Sequence, residues 1–551
     1  MKKTLRLAAI FGLALTCATV AWAGEEKLST ELKPANRHGR RSAENVEVIV
    51  QYKVTPTEAH HSRVAALGGK LNGKMDFIKG AHYSVPASSL DELANDPDVA
   101  YITPNRPINP MFDNITNGTI DASYMNGEGY IGTGVGIAVI DSGIVDLPDF
   151  HTGSTDRIVY QQSFVGGTPA DQYGHGTHVA GILAGNGSAN GVVYQGVAYN
   201  ANLINLRVLD ANGNGSDAAT IQAIATAISL KSKYNIRVIN LSLGRPVWES
   251  ASLDPLCQAV EAAWKAGIFV AVAAGNDGRN NNAQTMGYGT ITSPGNDPLV
   301  MTVGAIKAEG TIDRSDDRIA SYSSKGPTMF DHYSKHDVVA PGNMVVSTLP
   351  AGLTLSNLYP ANRIGTTNYF TLSGTSMATP VVAAWAAMGC QGNPSITNDD
   401  IKADFMMSAS KVFPANSTVV DPTTGQSYTS YYDAFTVGAG ELNMATINSI
   451  NFAPVGYTAK TPAVAYNASN ATVTMQNIGA TNVVWGYNVV WGANVVWGAN
   501  TVLANNVVWG ANVVWGASSM TGFNVVWGAN VVWGLTTADT SFAIGNINSE
   551  P

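Results

Sequence analysis

Short, almost wholly apolar runs alternate with helical segments through the middle of this chain. Strands that lack polar alternation are covered on both faces, and strands joined through helices pair in parallel with right-handed crossovers. The pattern therefore predicts an α/β fold with a mainly parallel central sheet. The predicted strands are Val135–Ile140, Leu203–Val208, Val238–Leu243, Ile268–Ala273 and Val300–Val303, and the predicted helices are Thr177–Ala184, Asp217–Lys233 and Leu253–Ala266.

Length and composition indicate a large globular chain. Its 551 residues are 45% hydrophobic and 13% charged, with 56 glycines, which is typical of buried strands joined by many turns. The net charge of −9 argues against a nucleic-acid-binding surface.

The N-terminus has the pattern of a secretory signal peptide. Basic residues at positions 2, 3 and 6 precede the apolar run Leu7–Val20, and Ala21-Trp22-Ala23 follows. The run is short for a membrane span, and no later run is long and apolar enough for one. Residues 1–23 are therefore predicted to be a signal peptide, and the chain to be secreted without a transmembrane segment, either extracellular or periplasmic and cell-surface.

Two cysteines, Cys257 and Cys390, remain after the signal peptide. They could pair in an oxidising compartment, but cysteines on separate predicted helices are equally typical of buried free thiols. The sequence leaves both alternatives open.

A small unit precedes the α/β region. Residues 24–45 are polar and charged and are predicted to be a linker, whereas residues 46–110 have α+β character. About 65 residues make only a marginal independent fold. The predicted strands of this unit are Val46–Tyr52, Ala81–Val85 and Val99–Ile102, and its predicted helices are Thr57–Leu67 and Ser88–Asn95.

A hexapeptide repeat lies near the C-terminus. The unit Asn-Val-Val-Trp-Gly recurs at multiples of six residues from Asn482 to Asn530, and no charged residue occurs between Lys460 and Asp539. Because six is divisible by the strand period of two, each unit directs its Trp and first Val to one face of a strand. Residues 481–534, between a linker at 451–480 and a tail at 535–551, are predicted to be either a stacked β-solenoid that self-associates or binds a surface, or a low-complexity segment.

Three separated residues supply the parts of a nucleophilic site. Asp141 ends a predicted strand, His175 lies between glycines before a helix, and Ser376 lies at the start of a long apolar helix. Taken singly, these residues are also typical of a turn, a zinc ligand paired with His178, and a helix cap. No third zinc ligand occurs at helical spacing. A serine hydroxyl needs an imidazole to take its proton and a carboxylate to orient the imidazole, and these three residues provide that set.

Asn276 follows another predicted strand, in the sequence Gly275-Asn276-Asp277-Gly278. Asn-Asp-Gly is ordinarily a turn. Strand ends of a parallel sheet meet at one edge, so this side-chain amide could also face the serine and donate to an oxyanion.

The chain resembles the subtilisin-like serine proteases (subtilases, peptidase S8 family) with an inhibitor I9-like propeptide. The resemblance covers residues 46 to about 450 and excludes the repeats. The matching motifs are Val139–Ile144, His175–Gly181, Ala273–Asn276 and Gly374–Pro380, with supporting matches at Val238–Gly244, Ser321–Pro327 and Val339–Gly342.

This resemblance implies a three-layer sandwich in residues 111–450 after a ferredoxin-like propeptide at 46–110. It also implies a secreted serine endopeptidase that forms an acyl-enzyme intermediate. Asp141 would orient His175, which would act as general base and then general acid, while Ser376 attacks the scissile carbonyl. Asn276 and the Ser376 backbone N–H would form the oxyanion hole, and His178 would be structural.

The family's substrates lie as an extended strand between two backbone edges. The matching positions are Ser242-Leu243-Gly244 and the loop around Gly213-Asn214-Gly215. The segments nearest the specificity pocket, between Leu243 and Asn276, carry no obvious charge, so an apolar or broad preference is expected. The partners would be protein or peptide substrates and the chain's own propeptide, with autocleavage between Asn105 and Asn114.

No cofactor is required for this chemistry, and calcium is a structural option. The loop Gly185–Gly191 is poor in carboxylates, which leaves Asp149 as a candidate ligand without an assigned metal site.

A second hypothesis gives the working role to the tryptophan repeat. The protein would then be an adhesive or structural surface protein whose protease fold serves only its own maturation. Aromatic platforms that stack on glycans or on like repeats would suit that role.

Overall fold

The computed structural model describes residues 25–29, 32–33, 45–105, 107–110, 129–190, 194–280, 285–309, 314–410, 412–421, 425–443 and 458–467, with only short strand segments beyond. The predicted signal peptide, most of the linkers and most of the repeat lie outside the described residues.

The helices and strands follow in chain order. The helices are α1 Glu58–Ala66, α2 Leu90–Ala94, α3 His175–Ala184, α4 Asp217–Tyr234, α5 Pro255–Lys265, α6 Thr354–Leu358, α7 Thr375–Gly392 and α8 Asn398–Ser408. The strands are β1 Asn45–Tyr52, β2 Lys70–Met75, β3 Gly80–Pro86, β4 Val99–Pro104, β5 Pro107–Pro110, β6 Gly136–Asp141, β7 His151–Thr152, β8 Thr155–Asp156, β9 Ile158–Ser163, β10 Asn202–Arg207, β11 Gly215–Ser216, β12 Ile236–Leu241, β13 Leu243–Gly244, β14 Phe269–Ala273, β15 Met301–Lys307, β16 Arg318–Ile319, β17 Val338–Pro341, β18 Val345–Thr348, β19 Tyr369–Leu372, β20 Asn416–Val420, β21 Ser427–Tyr431, β22 Val464–Asn467, β23 Thr472–Met475, β24 Val490–Trp491, β25 Val495–Trp497, β26 Val502–Leu503, β27 Val514–Trp515 and β28 Met520–Thr521.

The main domain is built on an eight-stranded sheet in the order β16-β15-β14-β12-β6-β10-β9, with β17 also paired to β15. All its pairs are parallel except β15 with β16. Each of the five predicted strands is present, and the predicted α/β class is confirmed. Helices α3 and α7 pack on each other and on the sheet, and α4 and α5 form a second such pair, so the two pairs cover the two faces.

Helix α7 is the central helix of the core. Its residues from Thr375 to Met388 are all buried, which explains why its sequence is apolar all round rather than amphipathic. Trp385 stacks on Phe405 of α8 with ring centroids 4.3 Å apart. The packing fixes the helix, and with it the position of Ser376 in the first turn.

The N-terminal domain, residues 45–105, has its own core under a four-stranded antiparallel sheet in the order β2-β3-β1-β4. Strand β2 was not predicted, because polar, exposed residues alternate along it at Lys70, Asn72 and Lys74. The domain rests on the main domain: the Gln51 side chain donates to the carbonyl oxygen of Leu253 at 2.9 Å and accepts from Gln258 at 2.5 Å.

A C-terminal segment also belongs to the main domain. Within the predicted linker 451–480, Ala459 and Val464 are buried in the main core. The N–H of Ala459 donates to the Asp399 carboxylate at 2.8 Å, and the N–H of Val464 donates to the carbonyl oxygen of His332 at 2.8 Å.

Short strands occur in the repeat region. Val496 lies opposite Val514, and Val502 lies opposite Met520, both in parallel pairs. Strands β24 and β25 pair antiparallel. Among the helices of the described residues, none combines the length and apolarity that a bilayer span requires.

Candidate active site

Asp141 and His175 form a buried pair at one edge of the central sheet. Asp141 is the last residue of β6, and His175 is the first residue of α3. His175 Nδ1 lies 2.7 Å from Asp141 Oδ1, and both side chains are fully buried. A carboxylate can only accept here, so Nδ1 carries the proton and Nε2 is the basic nitrogen.

A second carboxylate, Asp171, holds the start of helix α3. Its Oδ1 accepts from the Ser142 hydroxyl and the backbone N–H groups of Tyr173 and Gly174, at 2.8–2.9 Å. Its Oδ2 accepts from the N–H and hydroxyl of Thr177, at 2.9 and 2.7 Å. Burial raises the pKa of this carboxyl, and the five hydrogen bonds oppose that rise.

Ser376 is tied to the end of a neighbouring strand. Its hydroxyl donates to the carbonyl oxygen of Ser242 at 3.0 Å, and the Ser242 hydroxyl donates to the carbonyl oxygen of Ser376 at 2.8 Å. Asn240 steadies the arrangement by donating to the Ser242 hydroxyl at 2.9 Å. Because β12, which precedes Ser242, is the parallel neighbour of β6, Ser376 and Asp141 lie at the same edge of the sheet.

Asn276 is oriented by two donors from Thr375. Its Oδ1 accepts from the Thr375 backbone N–H at 3.0 Å and from the Thr375 hydroxyl at 3.1 Å. This assigns the oxygen and leaves the amide nitrogen Nδ2 as a donor. Nδ2 is buried and has no hydrogen-bond partner among the described residues. An unpaired buried donor is costly, and it suits an anion that appears only during a reaction.

The predicted substrate edges are occupied by the chain's own strand β5. Gly215 of β11 lies opposite Ile108, and Leu243 and Gly244 of β13 lie opposite Pro110 and Asn109. Both pairs are antiparallel, so β5 completes a three-stranded sheet between the two edges.

Gly213 lies two residues before β11, in a turn closed by its N–H bond to the Asp210 carbonyl oxygen at 3.1 Å. Its φ of +80° favours glycine, and a Cβ there would lie 2.7 Å from the Tyr173 ring. It therefore shapes the loop, whereas Gly215 forms the edge.

The zinc alternative fails on the surroundings of His178. Its Nε2 donates to the carbonyl oxygen of Phe370 at 3.0 Å, and the ring is fully buried. Burial lowers the pKa of His178 to about 3. His178 therefore joins α3 to β19 as a neutral imidazole, while His175 is directed to Asp141.

A buried arginine lies beside Asp149, the candidate calcium ligand, whose Oδ2 is buried without a hydrogen-bond partner among the described residues. Its Oδ1 accepts from the Tyr369 hydroxyl. Beside it, the buried Arg157 guanidinium donates to the carbonyl oxygens of Asp149, Ala184 and Ala201 at 2.7–2.9 Å. Calcium needs six to eight oxygens, and within the described part of the chain these oxygens face a fixed cation instead.

A separate exposed group of potential metal ligands is Asp146, His151 and Asp156, whose ligand atoms lie within 4.8 Å of one another.

Both Cys257 and Cys390 are buried free thiols, so the free-thiol alternative is correct in this structure. Burial raises the pKa of Cys390 to about 11, which makes this thiol unreactive.

The sequence predicted the site residues Asp141, His175, Asn276 and Ser376. It did not predict the residues that orient them. Thr375 adjoins Ser376, and Ser142 adjoins Asp141, so chain adjacency was the available signal. Asp171 had a weaker signal, a carboxylate four residues before His175.

Comparisons with known proteins identify the family to which this chain is similar. Residues 132–473 match the model of the subtilase family, peptidase S8. Subtilisin E of Bacillus subtilis is 33% identical over 375 residues, which is 67% of this chain and 86% of that protein. Serine protease AprX of Bacillus subtilis is 35% identical over 347 residues, 60% of this chain and 74% of that protein. M-protease of Shouchella clausii is 36% identical over 410 residues, 73% of this chain and 93% of that protein.

Proposed function

The chain belongs to the subtilase family and is a serine endopeptidase, and we propose that Asp141, His175 and Ser376 carry out its peptide hydrolysis. The observation that best supports these assignments is the 2.7 Å hydrogen bond between Asp141 and His175 in a fully buried setting. It gives the imidazole the tautomer that a general base needs.

The proposed reaction begins when His175 Nε2 takes the proton of the Ser376 hydroxyl. The serine oxygen attacks the scissile carbonyl carbon, and the new oxyanion accepts hydrogen bonds from Asn276 Nδ2 and the Ser376 backbone N–H. First-turn N–H groups of a helix have no intrahelical acceptor, and the helix dipole adds positive potential there. Asp141 stabilises the imidazolium.

Collapse of this intermediate expels the amine, which receives the proton from His175. The acyl group remains as an ester on Ser376. Water, deprotonated by His175, then attacks the ester and releases the acid product. Subtilases need no cofactor for these steps.

Substrates would bind as an extended strand between Gly215 and Ser242–Gly244, where β5 lies now. Main-chain hydrogen bonds of this kind hold a peptide without reading its sequence. Specificity then depends on the side-chain pockets, for which we propose an apolar or broad preference.

We further propose that the enzyme is secreted as a zymogen. Residues 1–23 would direct export, and residues 46–110 would act as an intramolecular inhibitor that autocleavage releases. The contacts of the N-terminal domain with Leu253 and Gln258, and those of strand β5 with the two substrate edges, support this role.

Replacing the serine tests these assignments. We expect the full chain with Ser376→Ala to lose casein hydrolysis and to retain its N-terminal domain, and His175→Ala to behave in the same way. Ser395→Ala, which changes an exposed serine, is the matched control. Casein hydrolysis at the parent rate by either site variant would refute the assignments.

For the repeat, we propose stacking rather than a structureless tail. The partners Val496–Val514 and Val502–Met520 are each offset by eighteen residues, which is three hexapeptides. A coil of three units would bring equivalent positions into register, and such a surface would suit self-association or attachment. Spectroscopy of the isolated segment 476–551 would test this, since an absence of β-structure would exclude stacking.

A further inference from the structure

The two substrate edges end at oppositely charged residues. Strand β11 is followed directly by Asp217, and strand β13 is followed directly by Arg245. Because β5 pairs antiparallel with both edges, β11 and β13 run in the same direction, and their last residues lie at the same end of the cleft. Arg245 Nε donates to both carboxylate oxygens of Asp217, at 2.9 and 3.2 Å, and both side chains are buried. An ion pair therefore joins the two edges at one end of the cleft.

Arg245 is also fixed to the main domain by contacts that do not involve β11. Its backbone N–H donates to the carbonyl oxygen of Ser293 at 2.9 Å, and the Ser293 N–H donates back to the Arg245 carbonyl oxygen at 2.8 Å. Its Nη2 donates to Asp254 Oδ1 at 2.8 Å, and the Ser293 hydroxyl donates to the other carboxylate oxygen of Asp254 at 2.7 Å. The guanidinium is therefore a fixed point, and Asp217 is the carboxylate that connects β11 to it.

A peptide can bond to both edges only if the gap between them fits one strand. Paired strands lie about 4.8 Å apart, so β11 and β13 are about 9.5 Å apart across β5. When a bound strand leaves, its backbone hydrogen bonds no longer set this gap. A planar guanidinium that donates to both oxygens of a carboxylate fixes direction as well as distance, which a single point charge does not.

We propose that Arg245 is a positioning residue. Its ion pair with Asp217 holds the two substrate edges at the spacing of one strand, and it thereby gives the enzyme its preference for long extended peptides. This inference rests on the proposed function, in which substrates bind between these edges.

The order of contacts along β5 indicates which substrates depend on the ion pair. Residues 109–110 lie opposite β13, whereas residues 107–108 lie opposite β11. The Ser376 hydroxyl bonds to the carbonyl oxygen of Ser242, just before β13. A short peptide beside Ser376 would therefore contact only the β13 edge, and only a longer peptide would extend N-terminally to β11. Loss of the ion pair should affect the long peptide selectively.

Two chromogenic peptides of different length test this expectation on the active enzyme obtained from the full chain. The long one is acetyl-Ala-Ala-Ala-Ala-Leu-p-nitroanilide, and the short one is acetyl-Ala-Leu-p-nitroanilide. In Asp217→Asn, which keeps the side-chain shape but removes the charge, we expect kcat/KM for the long peptide to fall about tenfold more than for the short one. Most of this difference should appear in KM, because the catalytic groups at Ser376 keep their contacts.

Asp254→Asn is the matched control. It also replaces a fully buried aspartate that pairs with Arg245, but this aspartate caps α5 and does not adjoin a substrate edge. We expect it to lower the denaturant midpoint of unfolding while the ratio of long-peptide to short-peptide kcat/KM stays at the parent value. Equal changes of this ratio in the two variants, or equal losses on both peptides in Asp217→Asn, would overturn the inference.

Arg245→Lys provides the same test if Asp217→Asn does not fold. Lysine keeps the positive charge but lacks the Nε donor that bonds to Asp217, so the ratio of long-peptide to short-peptide kcat/KM should again fall. An unchanged ratio in this variant would also overturn the inference. The Ser376→Ala enzyme separates the two proposals, since hydrolysis of both peptides at the parent rate by that variant would refute the proposed function itself.

Discussion

The side-chain oxygen of Asn276 accepts from both donors of Thr375, its backbone N–H at 3.0 Å and its hydroxyl at 3.1 Å. The Thr375 hydroxyl is itself fixed, since it accepts from the N–H of Gly275 at 3.2 Å. The residue before the nucleophile therefore aims the proposed oxyanion donor. The hydrogen bonds of Thr375 therefore link the segment that carries the nucleophile to the donor.

Thr375→Val should weaken the orientation of the Asn276 amide without leaving a cavity. Valine keeps the shape and the backbone bond but loses the hydroxyl donor, so the Asn276 amide gains freedom to rotate. We expect kcat to fall about tenfold with little change in KM, less than the ~10²–10³ already known in this family for removal of the donor itself. Steady-state kinetics on a chromogenic peptide measures this.

The control for Thr375→Val is Thr375→Ser, which restores the hydroxyl and should recover most of kcat. Equal losses in both variants would mean that Thr375 acts only through packing.

Asp171→Asn should disturb the position of His175, the proposed general base. Both Asp171 oxygens accept hydrogen bonds, five in all. In asparagine, one of these oxygens is replaced by an NH₂ group, whose N–H groups would face N–H or O–H donors of the protein. We expect a loss of about 2–4 kcal/mol in unfolding free energy and a lower kcat, since Ser142 and the first turn of α3 lose their anchor. Denaturant unfolding in a Ser376→Ala background measures the first effect, and peptide kinetics measures the second.

The exposed carboxylate Asp146 supplies the matched control for Asp171. Asp146→Asn should leave both quantities near the parent values. If Asp171→Asn kept full stability and full kcat, the proposed anchoring of α3 would be excluded.

Arg157→Met should destabilise the main domain. The carbonyl oxygens of Ala184 and Ala201 would lose the Arg157 donors, at about 1–3 kcal/mol for each group left unsatisfied, whereas that of Asp149 keeps a bond from the N–H of Asn186 at 2.9 Å. We expect a loss of at least about 2 kcal/mol by thermal or denaturant unfolding. Arg318→Met, at an arginine whose side chain is half exposed, should change stability by less than about 1 kcal/mol.

Treatment with a chelator distinguishes the arginine-filled arrangement beside Asp149 from a calcium site. If calcium were bound by Asp149, a chelator would lower the melting temperature of the parent, and Asp149→Asn would abolish that response. With the guanidinium in this position, we expect the chelator response to be the same in the parent and in Asp149→Asn.

Asp404 should make stability fall with rising pH. This carboxyl lies almost fully buried on α8, and burial, together with Asp400 one turn earlier, raises its pKa from 3.8 to about 7. Between about pH 4 and pH 7 the folded state therefore holds a proton that the unfolded chain has released. The free energy of unfolding decreases as pH rises through that window, and the loss persists above it.

Asp404→Asn removes this penalty because an amide does not ionise. In a Ser376→Ala background, we expect the variant to be about 1–3 kcal/mol more stable than its parent at pH 8 and equal to it at pH 4. Denaturant unfolding at the two pH values measures the difference. A gain of the same size at both pH values would point to packing instead of ionisation.

The sequence was most informative where one physical requirement acts on neighbouring residues. Strands such as Gly136–Asp141 and Phe269–Ala273 are buried on both faces, so their apolar runs predicted them to within two residues. The site residues Asp141, His175 and Ser376 could be found because serine attack needs a base and an orienting carboxylate. Helix α7 followed from its uninterrupted apolar composition.

Features that depend on distant partners were not predictable. Strand β5 is a four-residue segment bounded by prolines, and it is a strand only because β11 and β13 flank it. Strand β2 pairs with β3 although three of its six residues are polar and exposed. The segment around Thr461 shows no periodicity, because its position depends on a contact with Asp337, 124 residues away.

That last contact decides where the repeat can be removed without damage. The Thr461 hydroxyl donates to the Asp337 carboxylate at 2.6 Å and accepts from the Lys402 ammonium at 3.0 Å. Asp337 also forms an ion pair with Lys335 at 2.6 Å. The side chains of Lys335, Asp337 and Lys402 are all fully buried. A chain ending after Ala453 would expose this group and lose the bonds of Ala459 and Val464, so we expect it to be insoluble or inactive. A chain ending after Gln476 keeps the whole segment and lacks every repeat unit, and it should retain the parent's kcat/KM on peptides. Comparing the two truncations with the full chain, by peptide kinetics and thermal unfolding, separates the role of the segment around Thr461 from that of the repeat.

Loss of peptidase activity in the Gln476 truncation, with its fold intact, would assign the repeat a part in catalysis. A fully active Ala453 truncation would show that the buried ion group does not need Thr461.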